Sequence, residues 1–227
     1  MNNFIKKILV LSLILVSSAT HAESDTDNFI QFKISSLQLF SSFSSFIYFQ
    51  GDDRNRTRLL NAKNQGDKAI ASLPDSEVEL KLKWLKISDF VDSYQAHNFD
   101  GVDMSLEAGW SIHQKELNVI LDTRAASKVS GIEDVQIKME TILSQYMGYA
   151  NSTTGGYGVS YGNVPLEQQI KTLNKQLVEL AQADVQYQPL LKKWSYIQST
   201  LLAYNSNVAP FVVLHTFDRM RKMIASE

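Results

Sequence analysis

The sequence has no cysteine in its 227 residues. That excludes disulfide staples, thiol nucleophiles and cysteine-bound metal centres, and leaves stability to burial and hydrogen bonding. Proline and glycine are sparse, at 4 and 10, so few points force the chain out of a helix. The formal net charge is only −2. No excess of one sign marks nucleic acid or an anionic membrane as a main partner. Catalytic signatures are lacking too. There is no Gly-x-Ser-x-Gly elbow and no His-Glu-x-x-His zinc pattern, and Gly155-Gly156-Tyr157-Gly158 lacks the Lys-Ser/Thr ending of a phosphate loop. These absences lead to the expectation of a non-enzymatic protein without a cofactor.

What is present begins with a leader pattern. Lys6 and Lys7 precede an apolar run from Ile8 to Val16, and Ser17-Ser18-Ala19-Thr20-His21-Ala22 supplies small residues before a cleavage point. This reads as a secretory signal peptide over 1–22, and its short basic region looks bacterial, so the expected destination is the periplasm. The apolar run is short for a membrane span of about 20 residues. No cysteine follows it for a diacyl anchor. Cleavage lowers the basic count from 22 to 20 against 24 acidic residues, a mature charge of about −4 with neutral histidine. The remaining 205 residues, 23–227, are enough for one sizeable core or two small ones.

The mature chain reads as helices throughout. Phe29, Phe32, Ser36, Phe40, Phe43 and Ile47 form one stripe of a serine-rich apolar helix over 29–49, which Lys33, the glutamines and the serines mark as a core helix rather than a span. Gly51-Asp52-Asp53 interrupts it. Leu59 to Leu73 continues helically until Pro74, and Asp75 or Ser76 can cap the next helix. Amphipathic segments then follow over 77–97, 105–126, 132–150 and 164–188. In the last stretch Leu190, Leu191, Trp194, Ile197, Leu201, Leu202 and Tyr204 recur at spacings of three and four. Phe211, Leu214, Phe217, Met220 and Ile224 do the same after Pro210, a residue tolerated in a first turn. Asn205-Ser206-Asn207 between them can cap the second helix. No stretch alternates with the period of a strand. The expected fold is all-α: an antiparallel helical bundle or array.

Two segments echo one another. Leu80, Lys83, Trp84, Ile87 and Tyr94 match Leu190, Lys193, Trp194, Ile197 and Tyr204 at one constant offset. Halves over 29–126 and 132–224 as pseudo-repeats would explain this, and so would the apolar spacing common to any two amphipathic helices. The Leu-x-x-x-Trp-x-x-Ile segments resemble the periplasmic helical sensor modules of bacterial chemoreceptors and type IV pilus signalling proteins. The resemblance implies an all-helical extracytoplasmic module. It covers those segments only. The arginine-rich ligand motif of the nitrate-type modules is not recognisable, so no site residue carries over.

Polar constellations are few. His97, Asp100, Asp103 and Glu107 are close in sequence but lack the EF-hand spacing. His113 and Glu116, three apart, read as an exposed hydrogen-bonding pair, and His215, between Leu214 and Phe217, as a partly buried core residue. Arg54, Arg56 and Arg58 alternate, so they do not share one helix face. They read as a solvated first turn or as an anion site beside a helix start.

The sharpest compositional shift is 151–163, NSTTGGYGVSYGN, rich in glycine and free of charge. Tyr157 and Tyr161 there offer contact area at low entropic cost. The leading expectation is therefore a periplasmic or secreted protein that binds another periplasmic or envelope protein through Tyr157 and Tyr161. It would keep no membrane span after cleavage and bind no nucleic acid. The alternative is a small-molecule sensor or carrier with a pocket between helices near Trp84, Trp110 and Trp194.

Overall fold

The computed structural model of the protein describes residues 27–97, 104–124, 129, 131–153 and 164–225. The segment over 1–22 that the sequence reads as a leader lies outside them, as do Tyr157 and Tyr161. Among the described residues all regular structure is helical: α1 (27–48), α2 (Asp53–Ala71), α3 (Val78–Tyr94), α4 (Met104–Arg124), α5 (Gly131–Thr153), α6 (Leu166–Ala183), a 3-10 turn (Val185–Tyr187), α7 (Gln188–Leu202) and α8 (Pro210–Ala225). The expected all-α bundle is what the chain forms. None of these helices is long and apolar enough to cross a membrane.

The helix α1 is the centre. Phe32, Leu39, Phe40, Phe43 and Phe46 are buried with Ser36 among them, but so are Ser41, Ser44 and Ser45 on the helix's other sides. A helix enclosed all round needs side chains that are apolar or self-satisfied. The serines meet this by donating one turn back: Ser36 Oγ to Phe32 O at 2.8 Å and Ser45 Oγ to Ser41 O at 2.6 Å. Their small size lets neighbouring helices approach. The helix ends where Gln50 and Gly51 take positive φ, 56° and 79°, and Gly51 N–H donates back to Phe46 O at 2.8 Å. Asp52 then caps α2 by accepting from Asn55 N–H at 2.7 Å.

The buried apolar side chains form two clusters. One is built from α1 to α4 and holds Trp84 and Trp110; the other is built from α5 to α8 and holds Trp194. Within the second, α5 packs on both α6 and α8, and α7 closes the ring between them. The buried positions run in matched steps: Asn55, Leu59, Ala62, Gly66 and Ile70 on α2 against Leu166, Ile170, Leu173, Leu177 and Ala181 on α6. Gly66 is required by a close approach, because a Cβ there would lie 2.1 Å from the Trp84 ring.

A polar seam joins the clusters. Gln38 Nε2 on α1 donates to Glu140 Oε1 on α5 at 3.2 Å. Arg221 on α8 grips both oxygens of Glu140 at 2.6 Å and donates to Asp218 Oδ1 at 2.9 Å. Arg58 on α2 donates to Asp218 Oδ2 at 2.5 Å. Asn151 Nδ2 donates to Ser44 O at 3.0 Å, and Gln114 Nε2 to Ser144 Oγ at 3.4 Å.

Several local expectations are corrected. The cap of α3 is Glu77, without a side-chain bond, while Asp75 accepts from Lys81 at 2.9 Å. Glu116 accepts from Lys83 at 2.7 Å, and the His113 ring stands edge-on to Phe90. Burial there lowers the His113 pKa. His215 is exposed and stacked on Phe211, not a core residue. The buried stripe of α8 runs through Val213, Leu214, Phe217 and Met220. A residue one step beyond Leu214 is rotated about 100° off that stripe.

Candidate docking face

The hairpin of α7 and α8 carries Lys192, Lys193, Arg219, Arg221 and Lys222 against Asp218 as its single acid. Asp218 is already shared by Arg58 and Arg221. Burial fixes which side chains remain outside. Leu190, Trp194, Ile197 and Leu201 turn inward on α7, so Tyr196, two residues from Trp194, faces nearly the opposite way. Tyr196 is 70% exposed and Phe211 58% exposed. The sequence pattern puts Phe211 on the apolar stripe of α8; the structure puts it on an outer ridge with His215, the two rings 3° from parallel.

Between these rings lies a depression of about 270 Å³, lined by Tyr196, Phe211, Val212 and His215, with Lys193 and Arg219 beside them. Arg54, from the first turn of α2, sits over the Phe211 ring at 5.4 Å. This is cation–π geometry.

Arg54 also begins a second depression, a polar groove of about 830 Å³ between α2 and α8 over the small-residue face of α1. Arg58, Lys68 and Arg221 line it too, among carboxamides such as Gln38 and Gln65. No carboxylate is among the described residues lining either depression. The alternating arginines therefore part company. Arg54 joins pocket to groove, Arg58 ties α2 to α8, and Arg56 turns to the carbonyls of Gln95, Gly51 and His97. Burial pulls the Arg221 pKa down, but Glu140 and Asp218 more than offset this and raise it, so the seam stays charged.

Chemically, this face offers exposed rings for apolar contact and cations for carboxylates. Aromatic and arginine side chains of this kind concentrate binding energy at interfaces. The buried hydroxyl of Thr216 in its lining donates to Val212 O at 2.9 Å. Among the described residues no group of three or more potential ligands assembles around a metal site; Asp100 and Asp103 lie outside those residues.

The other sequence-derived positions fall as follows. Trp84 is buried edge-on to Phe32 and donates Nε1–H to Asp67 Oδ1 at 2.7 Å. Trp110 packs among Phe40, Phe43 and Phe90. Trp194 is enclosed in the second core. They line neither depression and do not meet around one cavity, because the largest apolar area on each stripe is drawn to the centre of its own core. The exposed Tyr196–Phe211 face was not legible as such in the sequence. The available signal was the charge asymmetry of the last two helices, masked by a near-neutral total.

Comparison with protein-family models, with curated proteins and with solved structures found no match.

Proposed function

We propose that this protein is a non-enzymatic, extracytoplasmic binding module that docks an acidic segment of another envelope protein on the α7–α8 face. The observation that carries the reading is the exposed Phe211–Tyr196 depression, flanked by Lys193 and Arg219 and free of lining carboxylates. Charge complementarity argues for an acidic occupant, since like charges across an interface cost several kcal/mol. The ring-lined depression argues for an aromatic or aliphatic side chain within that segment, which favours a protein over a purely polar polymer. The extracytoplasmic location rests on the leader pattern over 1–22. Tyr157 and Tyr161 stay candidate anchors by their chemistry, and changing both to alanine separates their contribution from that of Phe211.

The test is site-specific cross-linking in the native compartment, with a photoreactive phenylalanine in place of Phe211 in the full chain. The expected adduct joins residue 211 to an acidic stretch of a different protein, and it disappears when Lys193→Glu and Arg219→Glu are added. No adduct, an adduct only with a second copy, or an adduct that survives the charge reversal would overturn the reading.

A further inference from the structure

A different cavity, of about 530 Å³, lies where the two cores meet, between α1 and α4 on one side and α5 and α6 on the other. It shares no residue with the docking face. Its volume falls in the range of small-molecule sites, roughly 300–1,000 Å³.

Three properties of its wall define a ligand. The first is charge. Lys33 and Lys138 line the cavity, with Asp122 the single carboxylate among the described lining residues; Lys138 is held from outside the lining by Asp134 at 2.5 Å, which leaves Lys33 as the cation a ligand meets. Lys33 is sunk in the wall, its side chain 12% exposed, and its ammonium meets Asp122 at 3.0 Å. Asp122 itself is 71% exposed. Water competes for the exposed Asp122 carboxylate, so the inner lysine can exchange it for a carboxylate brought from solvent. The second property is neutral hydrogen-bonding capacity. Asn118 on α4, Thr141 and Ser144 on α5, and Gln169 and Thr172 on α6 present carboxamides and hydroxyls; Thr141 and Thr172 already donate to Ile137 O and Gln168 O, so both meet a ligand hydroxyl as acceptors. Behind Ser144, buried Gln114 donates Nε2–H to Ser144 Oγ at 3.4 Å, so the serine hydroxyl keeps its own proton to donate. The third is a narrow apolar strip of Leu37, Ile137 and Val164 with no aromatic ring, so nothing is offered to stack a flat ring system.

We infer that the inter-core cavity is a binding site for a small hydroxyl-rich carboxylic acid, its carboxylate on Lys33 and its hydroxyls on the Asn118, Thr141 and Ser144 wall. Such a ligand touches both cores at once. Binding would therefore stabilise their association by mass action.

The probes are D-glucuronate and D-gluconate, with methyl β-D-glucoside as the uncharged control and glucosamine as the cationic one. Titration calorimetry on the leader-free chain is expected to give saturable binding of an acid at least tenfold tighter than either control. Lys33→Met should weaken it tenfold or more. Thr172→Trp, at an exposed position on the rim, should also weaken it while leaving the circular dichroism spectrum unchanged, which guards against a misfolded Lys33 variant. Arg219→Glu should leave it unaffected, so failure here and failure of the docking reading are distinguishable. The inference is overturned if neither acid binds below about 10 mM, a free energy weaker than roughly −3 kcal/mol. Binding indifferent to Lys33→Met, or no tighter than that of the controls, would overturn it as well.

Discussion

At the scale of single residues, Glu140 and Gly66 are the least replaceable positions. Glu140 is fully buried, and its charge is met by two parallel bonds from Arg221 and one from Gln38. Truncating one partner leaves the other as an uncompensated buried charge. Glu140→Ala is therefore expected to cost about 3–5 kcal/mol in urea unfolding. The double replacement of Glu140 and Arg221 by methionine should cost less than the two single changes added together. Additive losses would show that the pair is not coupled. Gly66→Ala drives a methyl group into the Trp84 ring, and overpacking of this kind is expected to cost about 1–3 kcal/mol. An unchanged midpoint would contradict that close approach.

His113 gives a pH dependence with a defined sign. Burial beside Phe90 lowers its folded pKa below the 6.5 expected for a free ring. The unfolded chain thus takes up its proton first on acidification. The contribution of His113 is complete above pH 6.5 and is lost as pH falls below that value towards the folded pKa. Unfolding midpoints measured at neutral and mildly acidic pH should fall less for His113→Phe than for the parent. Tyr204 provides a spectroscopic marker. Its hydroxyl donates to Glu167 at 2.7 Å, which pushes its pKa up to about 12. Tyr204→Phe should remove a component ionising near pH 12 from an alkaline tyrosinate titration.

At the scale of elements, the apolar stripes of α2, α3, α6 and α7 are legible in the sequence because each is a plain three-and-four pattern with one buried side. The ends of elements are less legible, because distant groups satisfy them. The first turn of α8 is anchored by Ala209 N–H donating to Tyr146 Oη at 2.7 Å, a hydroxyl from α5, rather than by the Asn205-Ser206-Asn207 turn. Tyr146→Phe is expected to leave that N–H unsatisfied and cost about 1–3 kcal/mol, with faster amide exchange confined to the start of α8. Uniform exchange would contradict this. The Arg54, Arg56 and Arg58 series shows the same limit. Sequence spacing separates their directions, but only the fold reveals that one meets Phe211, one the carbonyls behind α3, and one Asp218.

At the scale of the whole molecule, the all-helical class follows from few prolines, few glycines and unbroken amphipathic stripes. Whether those stripes close one core or two is not written in them, because the inward face of a helix does not name its partner. The serine-rich face of α1 illustrates this: close helix packing is expected there, but not that it would support a polar seam between two cores. The candidate site was obscured for a related reason. A total charge near zero conceals a face where cations surround exposed rings, and tryptophan, the residue most suggestive of a pocket, is spent on packing.

The docking claim is tested most directly by fluorescence anisotropy with a labelled glutamate-rich peptide centred on phenylalanine, titrated with the leader-free protein. Saturable binding that weakens with added salt is expected, since the Debye length shrinks from about 10 Å at 0.1 M to about 3 Å at 1 M. Arg219→Glu or Phe211→Ser should abolish it, and the lysine-rich counterpart should not bind. Equal binding of the two peptides, or acidic-peptide binding unaltered by Arg219→Glu, would contradict the docking claim.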